Sequence, residues 1–125
     1  MTLKELLAVQ LRASTEIAGG EPVPDRTTLA AYALAWIVEI AELAQELNWK
    51  PWKKKKQVNR ERTIDELADT WAFTLLYTNL VMKAIGATPE EVEAAYLAKV
   101  QVNLARGRGE VEGYGRKELL DNEQD

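Results

Sequence analysis

The stretch from about Arg60 to Ile85 constrains the fold of this chain more than any other. Ile64, Leu67, Trp71, Phe73, Leu75, Leu76, Tyr77, Leu80, Val81, Met82 and Ile85 leave almost no face of a helix polar. A helix at a protein surface needs a single apolar stripe; one that is apolar nearly all round lies central in a bundle or in an interface between subunits. Gly86 supplies its C-terminal stop. The rest of the chain is expected to provide helices that cover it.

Those helices carry their own punctuation. Thr2-Leu3-Lys4-Glu5 fits a capping box ahead of Leu3, Leu6, Leu7, Val9, Leu11 and Ile17, and Gly19-Gly20-Glu21-Pro22-Val23-Pro24 ends that helix in a short linker. A second helix is expected from about Asp25–Thr28 to about Asn48, with Trp36, Ile40, Leu43 and Leu47 spaced as a core stripe. Trp49–Asn59 contains a proline and four consecutive lysines and reads as a loop. Thr88-Pro89-Glu90-Glu91 starts a fourth helix, with Thr as N-cap and Pro at the first helical position, running to about Ala105. Beyond it Gly107, Gly109, Gly113 and Gly115 are expected to form a flexible tail. Strand signals are scarce and no internal repeat is visible. The expectation is one all-α domain over 1–125, a bundle of about four helices.

Composition then narrows the chemistry. The 125 residues hold no Cys and no His. Disulfides, thiol nucleophiles, imidazole bases and Cys- or His-ligated zinc sites are therefore excluded. Catalysis has to rest on carboxylates, Lys, Arg, Tyr or a hard cation held by oxygen. Sixteen basic against twenty acidic residues give a net charge of −4, which argues against a general nucleic-acid binder. The longest uncharged runs, Thr27–Val38 and Thr70–Met82, fall short of the ~20 residues that span a bilayer. The opening residues are amphipathic without a signal-peptide core, so a cytoplasmic protein without membrane association is expected.

Two acidic pairs stand out. Glu39 and Glu42, and again Glu66 and Asp69, are three apart and so share a helical face. Such pairs are common on solvated helices, and Thr63-x-x-Glu66 is itself a capping-box pattern. The second pair, however, extends the stripe of Phe73, Tyr77 and Leu80, and Glu39 adjoins Trp36, Ile40 and Leu43 with Glu46 one turn beyond. Burying several like charges raises their proton affinity and costs free energy. A divalent cation removes that cost, and an all-oxygen set suits Mg²⁺ or Mn²⁺. Facing helices that each carry such a pair can build a metal site in a bundle core.

Glu39-Ile40-Ala41-Glu42 followed by Glu66-Leu67-Ala68-Asp69 resembles the signature of the all-α nucleoside triphosphate pyrophosphatases, the superfamily of the MazG-like enzymes and the dimeric dUTPases. The resemblance extends over roughly Leu6 to Tyr114. Trp49-Lys50-Pro51-Trp52-Lys53 is similar to the Trp/Lys loop of the dUTPase branch. Leu6-Leu7-Ala8-Val9-Gln10 resembles its opening helix, in which a Gln recognises uracil. Lys99-x-x-x-Asn103-x-x-Arg106 with Gly113-Tyr114 resembles its C-terminal phosphate-binding motif. Val38 stands where MazG-like enzymes usually carry a Glu. Ala72 stands where the dUTPase branch often has His, and Arg106-Gly107 replaces its usual Arg-Gln. The chain also lacks insertions that many members have.

The resemblance implies a four-to-five-helix bundle with a carboxylate metal site between two helices, a homodimer or higher homo-oligomer, and Mg²⁺-dependent cleavage of dUTP to dUMP and pyrophosphate. Glu39, Glu42, Glu66 and Asp69 would hold the metal and carry the catalysis, with Mn²⁺ as a possible substitute. Lys53, Lys99, Asn103, Arg106 and Tyr114 would bind phosphate, and Gln10, Trp49 and Trp52 the base, with Asn79 a second candidate amide. Each supporting residue also has a plainer reading. Seven of the sixteen basic residues fall within Lys50–Arg62 and could form a solvated loop or a cationic rim for a triphosphate. Lys99, Asn103 and Arg106 could be a polar outer stripe or a phosphate grip. Trp49 and Trp52 could cap the bundle or stack on a base. A MazG-like or dCTP-preferring pyrophosphohydrolase is the neighbouring alternative, and a non-catalytic helical interaction module the alternative of another class.

Overall fold

A computed structural model describes residues 1–110. Among these residues there are four helices and no strand: α1 Leu3–Ala18, α2 Arg26–Glu46, α3 Arg60–Ile85 and α4 Pro89–Gly107. The chain divides into two compact units, the first Met1–Pro89 and the second beginning at Glu90.

The ends of the helices are set by local chemistry. The Thr2 hydroxyl accepts from the Glu5 amide at 3.2 Å, Asp25 from Thr28 at 2.8 Å and Asn59 from Arg62 at 2.9 Å. Each satisfies an amide that the first turn leaves without an intrahelical acceptor. Gly19 (φ 73°) and Gly86 (φ 69°) end α1 and α3 in the left-handed region, where a side chain would be strained. Asn59, not Thr63, caps α3. Thr63 lies inside the helix and donates to the Asn59 carbonyl at 2.7 Å, so the capping-box reading of Thr63-x-x-Glu66 does not hold. Glu66 sits within the body of α3.

In the first unit α3 is central, packing against both α1 and α2. Leu80, 3% exposed, and Met82 on α3 and Leu7, 2% exposed, on α1 are the buried apolar side chains among the described residues. The Asn79 amide donates to the Leu7 carbonyl at 2.9 Å and ties α1 to α3. The α2–α3 pair is antiparallel: Glu46 pairs with Arg62 at 3.7 Å near one end, and Trp36 meets the Tyr77 ring at 5.7 Å further along. Trp36 and Leu43 are partly covered, whereas Ile40 and Leu47 of the expected stripe remain about half exposed.

Helix α2 therefore has two distinct sides. At about 100° per residue, Trp36, Glu39, Leu43 and Glu46 fall on one side, and Leu34, Ile37 and Val38 on the other, where each is more than half exposed. Length and composition alone would let α2 cross a membrane. Its Glu39 and Glu42 would be costly in hydrocarbon. Helix α4 starts at Pro89, the last residue of the first unit, and holds Lys99, Asn103 and Arg106 along its length in the second.

Candidate functional site

The antiparallel pairing of α2 and α3 brings the two acidic motifs together. Carboxylate oxygens of Glu39, Glu42 and Glu66 lie within 4.8 Å of one another. Glu39 and Glu66 are half-buried and Glu42 is exposed at the margin. The fourth carboxylate, Asp69, is exposed and stands outside this tight group, yet its charge reaches both Glu39 and Glu66. Glu46, near the C-terminus of α2, adds its charge to Glu66.

This geometry has electrostatic consequences. Burial, then the charges of Glu42 and Asp69, raises the Glu39 carboxyl above its ordinary value. Burial, then Glu42, Asp69 and Glu46, does the same for Glu66. Oε2 of Glu39 and Oε2 of Glu66 are buried and have no hydrogen-bond partner. An acceptor in that condition carries a desolvation cost that a neighbouring apolar group cannot offset. Carboxylates that repel one another and hold unpartnered buried oxygens fit a small hard cation. The donor set is all oxygen, as Mg²⁺ requires.

The loop that joins the two helices supplies the opposite charge. Lys53, Trp49, Lys50, Lys54 and Lys56 line a hollow of about 140 Å³ with Gln45 and Asn48 at the end of α2. Trp49 and Trp52 meet edge to face at 5.6 Å, and the Lys50 ammonium lies 5.4 Å over the Trp49 ring. Trp52 is 70% exposed. Both indoles thus belong to one aromatic pair at the bundle end, and only Trp49 lines the hollow.

At the other end of α3 a cleft of about 300 Å³ opens between α1, the α1–α2 linker and α3. Leu11, Leu76, Leu80 and Met82 supply apolar walls, and Ser14, Asn79, Glu21 and Lys83 polar ones. Gln10 is half-buried on α1 but does not line this cleft; its Nε2 donates to the Ser14 hydroxyl at 3.0 Å, which in turn donates to the Gln10 carbonyl at 2.8 Å. Ser14 is thus a site candidate that the sequence reading missed. Its spacing of four from Gln10 was the available signal.

On α4, Lys99 and Asn103 are exposed, and Arg106 donates from Nη1 to Asn103 Oδ1 at 3.4 Å. Tyr114 lies outside the described residues.

Two helices that set a Glu-x-x-Glu and a Glu-x-x-Asp motif against each other in an all-helical fold define an all-α nucleoside triphosphate pyrophosphatase scaffold. The family is narrower than the scaffold. A family model described as dUTPase matches residues 2–80, and the chain belongs to this dimeric all-α dUTPase family. The match takes in both acidic motifs, the lysine loop and Gln10; Lys99, Asn103 and Arg106 lie beyond it. No curated protein and no solved structure matches the chain.

Proposed function

We propose that this protein is a Mg²⁺-dependent dUTP diphosphatase that hydrolyses dUTP to dUMP and pyrophosphate. The observation that carries the reading is the pair of buried, unpartnered carboxylate oxygens on Glu39 and Glu66, in a chain whose family is that of dUTPases. Glu39, Glu42 and Glu66 would hold the ion, with Asp69 beside them. A bound ion supplies charge neutralisation on the phosphate oxygens as the leaving group departs.

The chain's own groups account for the rest. Water attacks phosphorus, the bond to the departing pyrophosphate breaks, and a carboxylate of the cluster accepts the water proton. Lys53 in the basic hollow attracts the triphosphate, and Lys99, Asn103, Arg106 and Tyr114 hold phosphate oxygens. Gln10 reads the uracil edge, while Trp49 and Trp52 cap the bundle end beside the lysine hollow. A second copy of the chain covers the open side of α2, where Leu34 is 63% and Ile37 60% exposed, and the exposed Trp71 of α3.

The test is pyrophosphate release from a panel of canonical and deoxy nucleoside triphosphates with Mg²⁺. Preferential turnover of dUTP is expected. Preference for dCTP would favour a relaxed or MazG-like pyrophosphohydrolase. Absence of pyrophosphate from every nucleotide would return the acidic pairs to the role of surface charge.

A further inference from the structure

Four lysines line the hollow at the end of α2, and something must hold their loop in that shape. Lys50, Lys53, Lys54 and Lys56 are all part of its wall, and none of them takes part in an ion pair among the described residues. Like charges gathered without a counter-ion repel, so an unrestrained loop would spread them into solvent.

The restraint is Asn48. Its side-chain Nδ2 donates to the Lys56 carbonyl at 2.8 Å, and its Oδ1 accepts from the Lys56 amide at 3.0 Å. A carboxamide that uses both ends on one backbone unit fixes its own orientation and closes the loop from 48 to 56 like one rung of a sheet ladder. Asn48 also sits at φ 55°, in the left-handed region that Asn tolerates better than most residues. Within the ring the Lys53 amide donates to the Lys50 carbonyl at 3.3 Å, which turns the chain back on itself.

From these contacts we infer that Asn48 is a positioning residue: its clasp with Lys56 shapes the lysine hollow into a subsite for a polyphosphate anion, the phosphate tail of the substrate. This inference rests on the proposed nucleotide reading for the identity of the substrate, but the anion subsite can be measured without any hydrolysis. The hollow adjoins the active carboxylates in sequence and along the helix. Gln45 follows Glu42 by three residues, about 4.5 Å of axial rise.

The test is titration calorimetry of the full chain with inorganic tripolyphosphate, without metal and at low salt, for wild type and Asn48→Gly. Glycine keeps the left-handed backbone while deleting both clasp bonds. Wild type should bind with an affinity that falls as salt rises. Asn48→Gly should bind about tenfold more weakly, the scale of one or two lost hydrogen bonds. In turnover of dUTP the same variant should raise KM more than it lowers kcat. Equal tripolyphosphate affinity in the two proteins, or no binding by wild type, would overturn the inference, whatever the nucleotide panel shows. Binding of tripolyphosphate as described, with no turnover of dUTP, would instead support the subsite and count against the proposed reaction. If Asn48→Gly melts well below wild type, amide exchange in the wild-type protein decides: a protected Lys56 amide supports the clasp, and an unprotected one refutes it.

Discussion

Magnesium should stabilise this protein in a pH-dependent way, and the carboxylate cluster sets both the sign and the size. Without metal, Glu39 and Glu66 have raised proton affinities in the folded state, so the folded chain binds more protons than the unfolded chain just above the ordinary value of 4.5. The contribution of these two groups to stability is then fully present below 4.5 and is lost as pH rises through the raised folded values, because ionisation places like charges within 4.8 Å. Mg²⁺ on the proposed site would bind the ionised form and act in the opposite sense. At ten times its dissociation constant it contributes about 1.4 kcal/mol to the native state. The site lies entirely within the unit Met1–Pro89, and for a domain of that size each kcal/mol moves Tm by about 4–8 °C. Differential scanning calorimetry at pH 7.5 should therefore show a rise of about 6–11 °C at that Mg²⁺ concentration. The rise should shrink at pH 5, where protons compete for the same oxygens. Glu39→Gln removes a charge and a ligand, and should weaken the Mg²⁺ response while leaving the metal-free protein at least as stable at pH 7.5. An unchanged wild-type midpoint with saturating Mg²⁺, or a Glu39→Gln variant with the full wild-type shift, would refute the metal-site reasoning.

Further expectations follow from other parts of the fold. Asp69→Asn should abolish pyrophosphate release while circular dichroism stays near wild type, since the exposed side chain is lost only as a charge beside the cluster; activity within threefold of wild type at saturating Mg²⁺ would remove Asp69 from the site. Leu7→Ala should cost about 2–5 kcal/mol in urea unfolding, because Leu7 is almost fully buried against α3; a loss below 1 kcal/mol would mean that α1 is not held there. Ile37→Asp should convert a dimer to a monomer in light scattering at micromolar concentration, with the carboxylate side of α2 untouched; a monomeric wild type would contradict the proposed second copy. Gln10→Ala should lower kcat/KM for dUTP more than for dCTP, and equal losses for both would end its assignment as the uracil reader.

Helix existence and ends were legible because they depend on near neighbours. Thr2 and Asp25 act within three residues, and Gly19 and Gly86 through their own backbone angles, whereas the Asn59 cap of α3 was read only as the end of a loop. The span of α3 follows from residues that fail to leave any polar face. The two acidic motifs were legible as well, since a spacing of three fixes a shared face on one helix. Their meeting depended on the pairing of α2 with α3. Only packing makes Glu39 and Glu66 half-buried while leaving Glu42 and Asp69 exposed, and only packing strands two Oε2 atoms without partners. Packing likewise decided that Ile40 stays half exposed although its spacing suited a core stripe, because neighbouring helices cover one side of α2 and leave the other open.

The clasp from Asn48 to Lys56 and the tie from Asn79 to Leu7 show the same division at longer range. They join residues 8 and 72 positions apart, and no periodicity encodes such a distance. Sequence by itself determined the helices, their caps and the chemistry available: carboxylates and amines, with neither His nor Cys. Tertiary structure decided which of those groups meet, because desolvation and Coulomb repulsion act through space and not along the chain.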